Sequence, residues 1–485
     1  MAEEIKTIAP QTVWGYFYEF TQIPRPTGQM ERVTRFVVEQ GKRLGLETIR
    51  DAVGNVLIRK PATKGYEGKP VVILQSHLDM VPQKNSDVAH DFAKDPIDAY
   101  IDGDWVKARG TTLGADNGIG ASLALAVLAD ASLQHGTIEA LFTVDEEVGM
   151  DGAFGLKSDF LKGRKLINCD SEEEGKLFVG CAGGADLNVE FRYKKGSPLI
   201  EGDVAVRLFL SGLKGGHSGV DIHLGRANAN KLLFRFLKEA VSDYGVRLAA
   251  VSGGSLRNAI PREAEAIITL PKDNLDLLWE LVADYQDIYR AEYSGVDDNI
   301  SLKAEMTVSP VSLIPEEIQD DLINAIEACQ NGVITMLHDF PDTVESSSNL
   351  AVVKSAAGLI EIKILARSAS ESRKSALLSS LESVFAMAGA KVDYGGAYNG
   401  WQPNISSTVL ATMSQVYEQL YGAKPAVAVM HAGLECGIIQ GIYPDMDMIS
   451  FGPDIKHPHS PDEAVSIHSV ARTYELLKKT MSSVE

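Results

Sequence analysis

Apolar residues recur at helical spacing from Gln11 to Gly45, and short apolar runs then follow at 55–59, 71–75, 138–144 and 165–169. The first pattern predicts helix, and the short runs predict strands buried on both faces. Between the second and third runs lies GIGASLALAVLAD, small and apolar with no breaker after Gly120, which predicts a buried helix. Strands alternating with helices predict an α/β sheet with helices on its faces.

The texture changes near Gly183, where continuous runs give way to alternating ones such as DVAVRLFL at 203–210 and EAEAIIT at 263–269. Alternation marks strands buried on one face only. Residues 203–306 read strand, helix (226–241), strand, strand, helix (273–291), strand. Residues 315–396 read helix, strand, strand (358–366), helix (370–388), strand. This order predicts an inserted α+β (ferredoxin-like) region, two similar halves in tandem. After Gly395 a helix at 405–421 and short strands at 427–430 and 447–451 return the chain to the α/β domain, which is therefore discontinuous. A length of 485 residues agrees, since single cores stop growing at roughly 250–300 residues.

Charge narrows the partners. The chain carries 46 basic and 66 acidic side chains, a formal charge of −20, with no compensating basic cluster. Nucleic acid and anionic membrane are excluded as expected partners, and small molecules are favoured. The start, MAEEIKTIAPQTVWGYFYEF, has early acids and no apolar run of signal-peptide length, and no stretch of about 18 uncharged apolar residues follows. Neither secretion by that route nor a membrane span is expected. Cys169, Cys181, Cys329 and Cys436 form no C-x-x-C pair and read as small buried hydrophobes in a reducing compartment, which points to the cytoplasm.

Acids and histidines collect where the predicted strands end, the edge at which open α/β sheets bind ligands. In VVILQSHLD, His77 and Asp79 leave the strand together; an imidazole can ligate a metal while a carboxylate two residues on fixes its tautomer. In RGTTLGADNGIG, Asp116 sits in a glycine-rich turn before the buried helix, with a helix N-cap as its structural alternative. In IEALFTVDEEVGMDG, three consecutive acids follow a buried strand, and a divalent cation would offset their repulsion. Glu146 and Glu147 can then divide ligation and proton transfer. A solvated acidic loop is the alternative. In KLINCDSEEEG, Asp170 is placed as a ligand, whereas Glu172, Glu173 and Glu174 read as solvated loop. GPDIKHPHSPDEAV contributes His457 and His459 on a proline-rich loop. Oxygen and nitrogen donors without thiolate suit a two-metal hydrolytic site with Zn2+, Mn2+ or Co2+.

These segments, with GLKGGHSGVDI, RNAIPREA and HAGLECGI, resemble the M20 metallopeptidases, and among them the aminoacyl-histidine dipeptidases, along essentially the whole chain. The resemblance implies a catalytic domain at 1–186 and 399–485 and a lid domain at 187–398. It implies two divalent ions, with Zn2+ first and Co2+ or Mn2+ as alternatives. Asp116 would bridge them, with His77 and Asp170 on one side and Glu147 and a carboxyl-terminal histidine on the other. The pattern H-x-x-[DN]-E favours His459, and His457 remains the alternative. Glu146 would be the general base and Asp79 the residue orienting His77. His217 would stabilise the oxyanion, Asn258 and Arg367 would grip the substrate carboxylate, and Gly433 with Glu435 would shape the pocket floor. A turn histidine is the alternative for His217, and turn and surface residues for Asn258 and Arg367. Dipeptides, preferentially Xaa-His, are the implied substrates and a homodimer the implied assembly, although a lid of about 210 residues gives a second half that can stand in for a partner. An aminotripeptidase, an N-acyl amino acid deacylase and a metal-dependent binding protein without turnover are the rival readings.

Overall fold

The protein, seen in a computed structural model, is described over residues 2–485. The chain forms two compact units: Met1–Cys181 with Trp401–Val429 and Leu434–Glu485, and Ala182–Gly400 with Met430–Gly433.

The first unit is built on a mixed sheet of eight strands, in the order Glu47–Arg50, Val56–Lys60, Ile138–Thr143, Val72–His77, Lys165–Asn168, Asp447–Ser450, Lys176–Cys181 and Ala426–Met430. The four strands from Ile138–Thr143 to Asp447–Ser450 run parallel, so their carboxyl ends share one edge. Every residue of Val72–His77 and Ile138–Thr143 is buried, the two-sided burial that their unbroken apolar runs require. The helix Ala115–Ala129 packs on Val72–His77 and is buried nearly all round, consistent with its small apolar sequence. Gly120 lets the helix lie close to the end of the next strand, Lys165–Asn168, because a Cβ there would stand 2.3 Å from the Cys169 carbonyl oxygen.

The helical pattern of 11–45 resolves into two helices, Gln11–Gln22 and Glu31–Arg43. Pro24, Pro26 and Gly28 interrupt it, since proline cannot supply the interior hydrogen bond. A small sheet of Ile455–Lys456, Ala464–Ser466, Trp105–Ala108 and Ala99–Asp102 is an addition. Its strands are too short to print a periodicity.

The second unit holds one long antiparallel sheet, in the order Ser301–Met306, Asp203–Ser211, Ala264–Pro271, Arg247–Gly253, Val344–Ala356, Leu359–Ser368, Gly183–Arg192 and Lys391–Tyr398, with Gly332–Met336 pairing Val344–Ala356. Each set of four strands, with two helices, is a βαββαβ unit in the order 4-1-3-2. The two halves are nested and not in tandem: Gly183–Arg192, first strand of the outer half, precedes the whole inner half. No separate strand is legible there, because it follows Lys176–Cys181 with almost no turn between them. Helices Ala229–Tyr244, Leu275–Glu292, Glu316–Ala328 and Glu371–Met387 supply the apolar cover, with Phe234, Phe236, Tyr289 and Phe385 at its centre. Cys169, Cys181, Cys329 and Cys436 are all buried, and no disulfide joins them. Among the described residues no helix is long and apolar enough to cross a membrane.

Candidate active site

His77 is the last residue of a buried strand and Asp79 follows two positions later, so both emerge at the shared carboxyl edge. Asp79 is fully buried. Its Oδ1 stands 3.3 Å from His77 Nδ1 and accepts the Glu146 N–H at 3.0 Å, while Oδ2 accepts the Glu147 N–H at 3.1 Å and the Thr27 hydroxyl at 3.0 Å. One carboxylate thus faces the imidazole and anchors the backbone of the next acidic pair. These bonds and His77 hold Asp79 below the usual carboxylate range although burial opposes them.

Asp116 divides its two oxygens. Oδ1 lies 3.1 Å from His77 Nε2, whose same nitrogen is 3.3 Å from Asp170 Oδ1. Oδ2 lies 2.9 Å from His459 Nε2, which is 3.1 Å from Glu147 Oε2. Three groups therefore offer ligand atoms within 4.8 Å of one another: His77, Asp116 and Asp170; Asp116, Glu147 and His459; and His77, Glu146 and Glu147. His459 is held in the left-handed backbone region at φ 59°, an uncommon conformation for a residue with a side chain. His457 belongs to none of the three groups.

The acids repel one another, and the electrostatics record it. Burial raises Glu146 well above its usual range, with Glu147 and Asp170 adding to the rise. Burial and the neighbouring Asp116 raise Glu147 to about 7, and burial raises Asp170. Asp116, flanked by two imidazoles, is held far below the carboxylate range against the burial penalty. The same carboxylates overcome burial to raise His77 well above 6.5 and His459 to about 11. The attraction is thus divided between two imidazoles, one on each side of Asp116.

Four further residues join this edge, and the sequence marks them only in part. Glu172, read as solvated loop, is half-buried, and burial with the charges of Asp116 and Asp170 raises it well above its usual range. A run of three glutamates does not disclose which one turns inward; Glu173 instead pairs with Lys176 at the surface and Glu174 with Arg472. Glu435, expected to shape the pocket floor, has no exposed surface. Its Oε2 accepts from Gln75 Nε2 and Thr143 Oγ1, both at 2.6 Å, and burial raises it to about 7. Arg25 is buried against the cluster, which lowers it to about 10 despite the attraction of Glu463, Asp79, Asp116 and Glu147. Glu463 accepts hydrogen bonds from the turn that precedes Asp116.

The second unit has a cluster of its own. Gly219 is packed so tightly that a Cβ would stand 2.2 Å from the His431 carbonyl oxygen, 3.1 Å from the His217 ring and 3.3 Å from Arg367 Nε. His217 Nδ1 accepts from the Gly219 and Val220 N–H groups at 3.2 and 3.1 Å, which fixes the proton of a neutral ring on Nε2. Arg367 is 4% exposed and donates to the Tyr398 hydroxyl at 2.7 Å, while its Nε has no partner. A buried guanidinium with an unmet donor suits a carboxylate. Asn258 is exposed, and its carbonyl accepts from the Ser218 N–H at 2.8 Å. Gly433 is half-buried.

The residues at the carboxyl edge fit divalent cations. The donors are oxygens and imidazole nitrogens, and Glu147 Oε1 is buried without a hydrogen-bond partner. Burial pushes the thiol of Cys169, beside Asp170, far up, so it keeps its proton and is a poor ligand.

Comparison with known proteins follows the same lines. The family model for peptidase family M20/M25/M40 matches residues 73–483. A cytosol non-specific dipeptidase from Escherichia coli (strain K12) is 46% identical over 481 residues, covering 99% of this chain and 99% of the relative. The crystal structure of an aminoacylhistidine dipeptidase from Vibrio alginolyticus superposes with a TM-score of 0.88 at 44% identity, covering 100% of this chain and 99% of that one. A tripeptidase from Staphylococcus aureus subsp. aureus Mu50 shares the fold, with a TM-score of 0.58 at 16% identity over 98% of this chain and 99% of that one. With the family model matched from the strand that carries His77 to the last helix, and a relative nearly half identical from end to end, this chain belongs to peptidase family M20/M25/M40.

Proposed function

We propose that this peptidase hydrolyses dipeptides, with preference for Xaa-His, at a two-ion site in the first unit. The observation that carries the reading is the divided carboxylate of Asp116, one oxygen facing His77 and Asp170 and the other facing His459 and Glu147. The names of the relatives from Escherichia coli and Vibrio alginolyticus support the substrate class. In this reading His77 and Asp170 hold one ion, Glu147 and His459 the other, and Asp116 both. Zn2+ is the first expectation, and Co2+ or Mn2+ suit the same donors.

When bound, such ions acidify water and polarise a carbonyl. Glu146, made more basic by burial, takes the proton from the attacking water and returns it to the leaving amine. Asp79 holds the His77 ring and the Glu146 N–H in register. The second unit acts as a lid in this reading: His217 donates from Nε2 to the oxyanion, and Arg367 and Asn258 take the substrate carboxylate. A cytoplasmic location and a homodimer complete it; the first is supported by four cysteines that no disulfide joins and by the name of the Escherichia coli relative.

The test is hydrolysis of Xaa-His, other dipeptides, a tripeptide and an N-acetyl amino acid by ion-stripped protein with Zn2+, Mn2+ or Co2+ restored singly. Return of dipeptide cleavage, Xaa-His fastest, is expected; preference for the tripeptide or the N-acetyl substrate would overturn the dipeptidase reading. Glu146→Gln is expected to lose turnover by at least about a hundredfold while retaining ions, whereas unchanged turnover would remove Glu146 from the chemistry.

A further inference from the structure

We propose that Arg25 and Glu463 form a two-sided clamp that positions Asp116, and that this pair sets how tightly the first unit holds divalent ions. Arg25 lies between the helices Gln11–Gln22 and Glu31–Arg43. Its Nη1 donates to the carbonyls of Leu78 and Asp79 at 2.9 and 3.0 Å, and its Nη2 donates to the Gly114 carbonyl. One guanidinium therefore joins the segment that carries His77 and Asp79 to the turn that carries Asp116.

Glu463 grips that turn by its other polar face. Oε2 accepts the N–H groups of Leu113 and Gly114 at 2.7 and 2.9 Å, and Oε1 accepts those of Ala115 and Asp116 at 2.7 and 3.2 Å. Four successive amides around one carboxylate make an anion nest, more than a turn needs to close. Glu463 follows His459 by four residues, so the same bonds tie the segment of one imidazole to the carboxylate it faces. Arg25 is 1% exposed and Glu463 2%. Gly114, at φ 71°, leaves room for the guanidinium, which a Cβ would meet at 2.5 Å.

The clamp acts through Asp116, whose oxygens must face two histidines at once, and neither clamp residue touches substrate. A point ammonium at position 25 keeps the charge but loses the planar fork, and an amide at 463 keeps the shape but offers its N–H donors to backbone donors. This inference rests on the reading of the cluster as an ion site, and the test separates the two. A structural comparator exists in Glu139, equally buried, bonded to Arg59 at 2.7 Å and to the Lys162 and Gly163 N–H groups at 2.9 Å, but at the amino end of its strand.

The experiment titrates the full-length, ion-stripped protein with Co2+, following calorimetric affinity and the visible absorption of bound Co2+, alongside thermal unfolding. Arg25→Lys and Glu463→Gln are expected to bind Co2+ about 10–100-fold more weakly, with altered absorption bands. Glu139→Gln is expected to lose thermal stability and keep both affinity and spectrum. Should Glu463→Gln fail to fold, Arg25→Lys decides alone. Folded Arg25→Lys with wild-type affinity and spectrum would overturn the clamp, as would a Glu139→Gln that weakens binding equally. Wild-type protein that takes up no Co2+ would overturn the ion-site reading itself, and the clamp with it.

Discussion

His431 is 8% exposed, and its Nε2 meets the Ser347 hydroxyl at 2.7 Å. Burial lowers it to about 3, with the charges of Arg367, His217 and His223 pushing the same way. An unfolded histidine titrates near 6.5, so between the two values the unfolded chain binds the extra proton. Stability from this group is therefore intact above pH 6.5 and lost as the pH falls toward 3, at up to about 1.4 kcal/mol per pH unit. His431→Asn is expected to flatten the fall of Tm between pH 7 and 4; an unchanged slope would refute it. Residues differ in how openly the sequence shows them. His77, Asp116, Glu146, Glu147 and Asp170 could be picked out because each follows a buried strand or opens the buried helix. Arg25 could not, because its partners are backbone groups, which every residue carries and no sequence pattern marks; Glu463 stands as the last position of H-x-x-[DN]-E, which does not say what it holds. Glu435 stands out in HAGLECG, but a helix start does not reveal that its side chain turns fully inward.

Among elements, the helix Ala115–Ala129 shows how closely sequence and packing agree. Gly120→Ala would gain about 1 kcal/mol of helix propensity, but its methyl would lie against the Cys169 carbonyl and the Asn117 side chain. Overpacking of this kind costs about 1–3 kcal/mol, so packing wins. The variant is expected to unfold at lower urea concentration, and a raised midpoint would show that the sheet yields. Buried strands of four to six residues were legible through their unbroken apolar runs. The small sheet around Trp105–Ala108 was not, because two to four residues carry too little pattern. The nested order of the second unit was invisible for a different reason: its first strand pairs with Leu359–Ser368, far along the chain, and no local signal announces a distant partner.

For the whole molecule, a charge of −20 surrounds a site that collects cations. The field outside the protein is screened over about 8 Å at physiological salt, while the buried carboxylates are screened much less. Raising ionic strength is therefore expected to slow Co2+ association by several-fold, on the order of tenfold, and to leave dissociation almost unchanged. Equal changes in both rates would place the attraction in the site alone. The nesting of the second unit has a further consequence for the chain as it is made. Residues 203–306 hold every strand of the inner half and can close as soon as they leave the ribosome, whereas Gly183–Arg192 must wait for Leu359–Ser368, on the order of ten seconds at ordinary synthesis rates. The first unit waits longer still, since Asp447–Ser450 enters the middle of its sheet beside Lys165–Asn168. The edge where His459 meets Asp116 is thus completed only after residues 447–459 have been made, so a nascent chain cannot close this cluster while the second unit is still being synthesised.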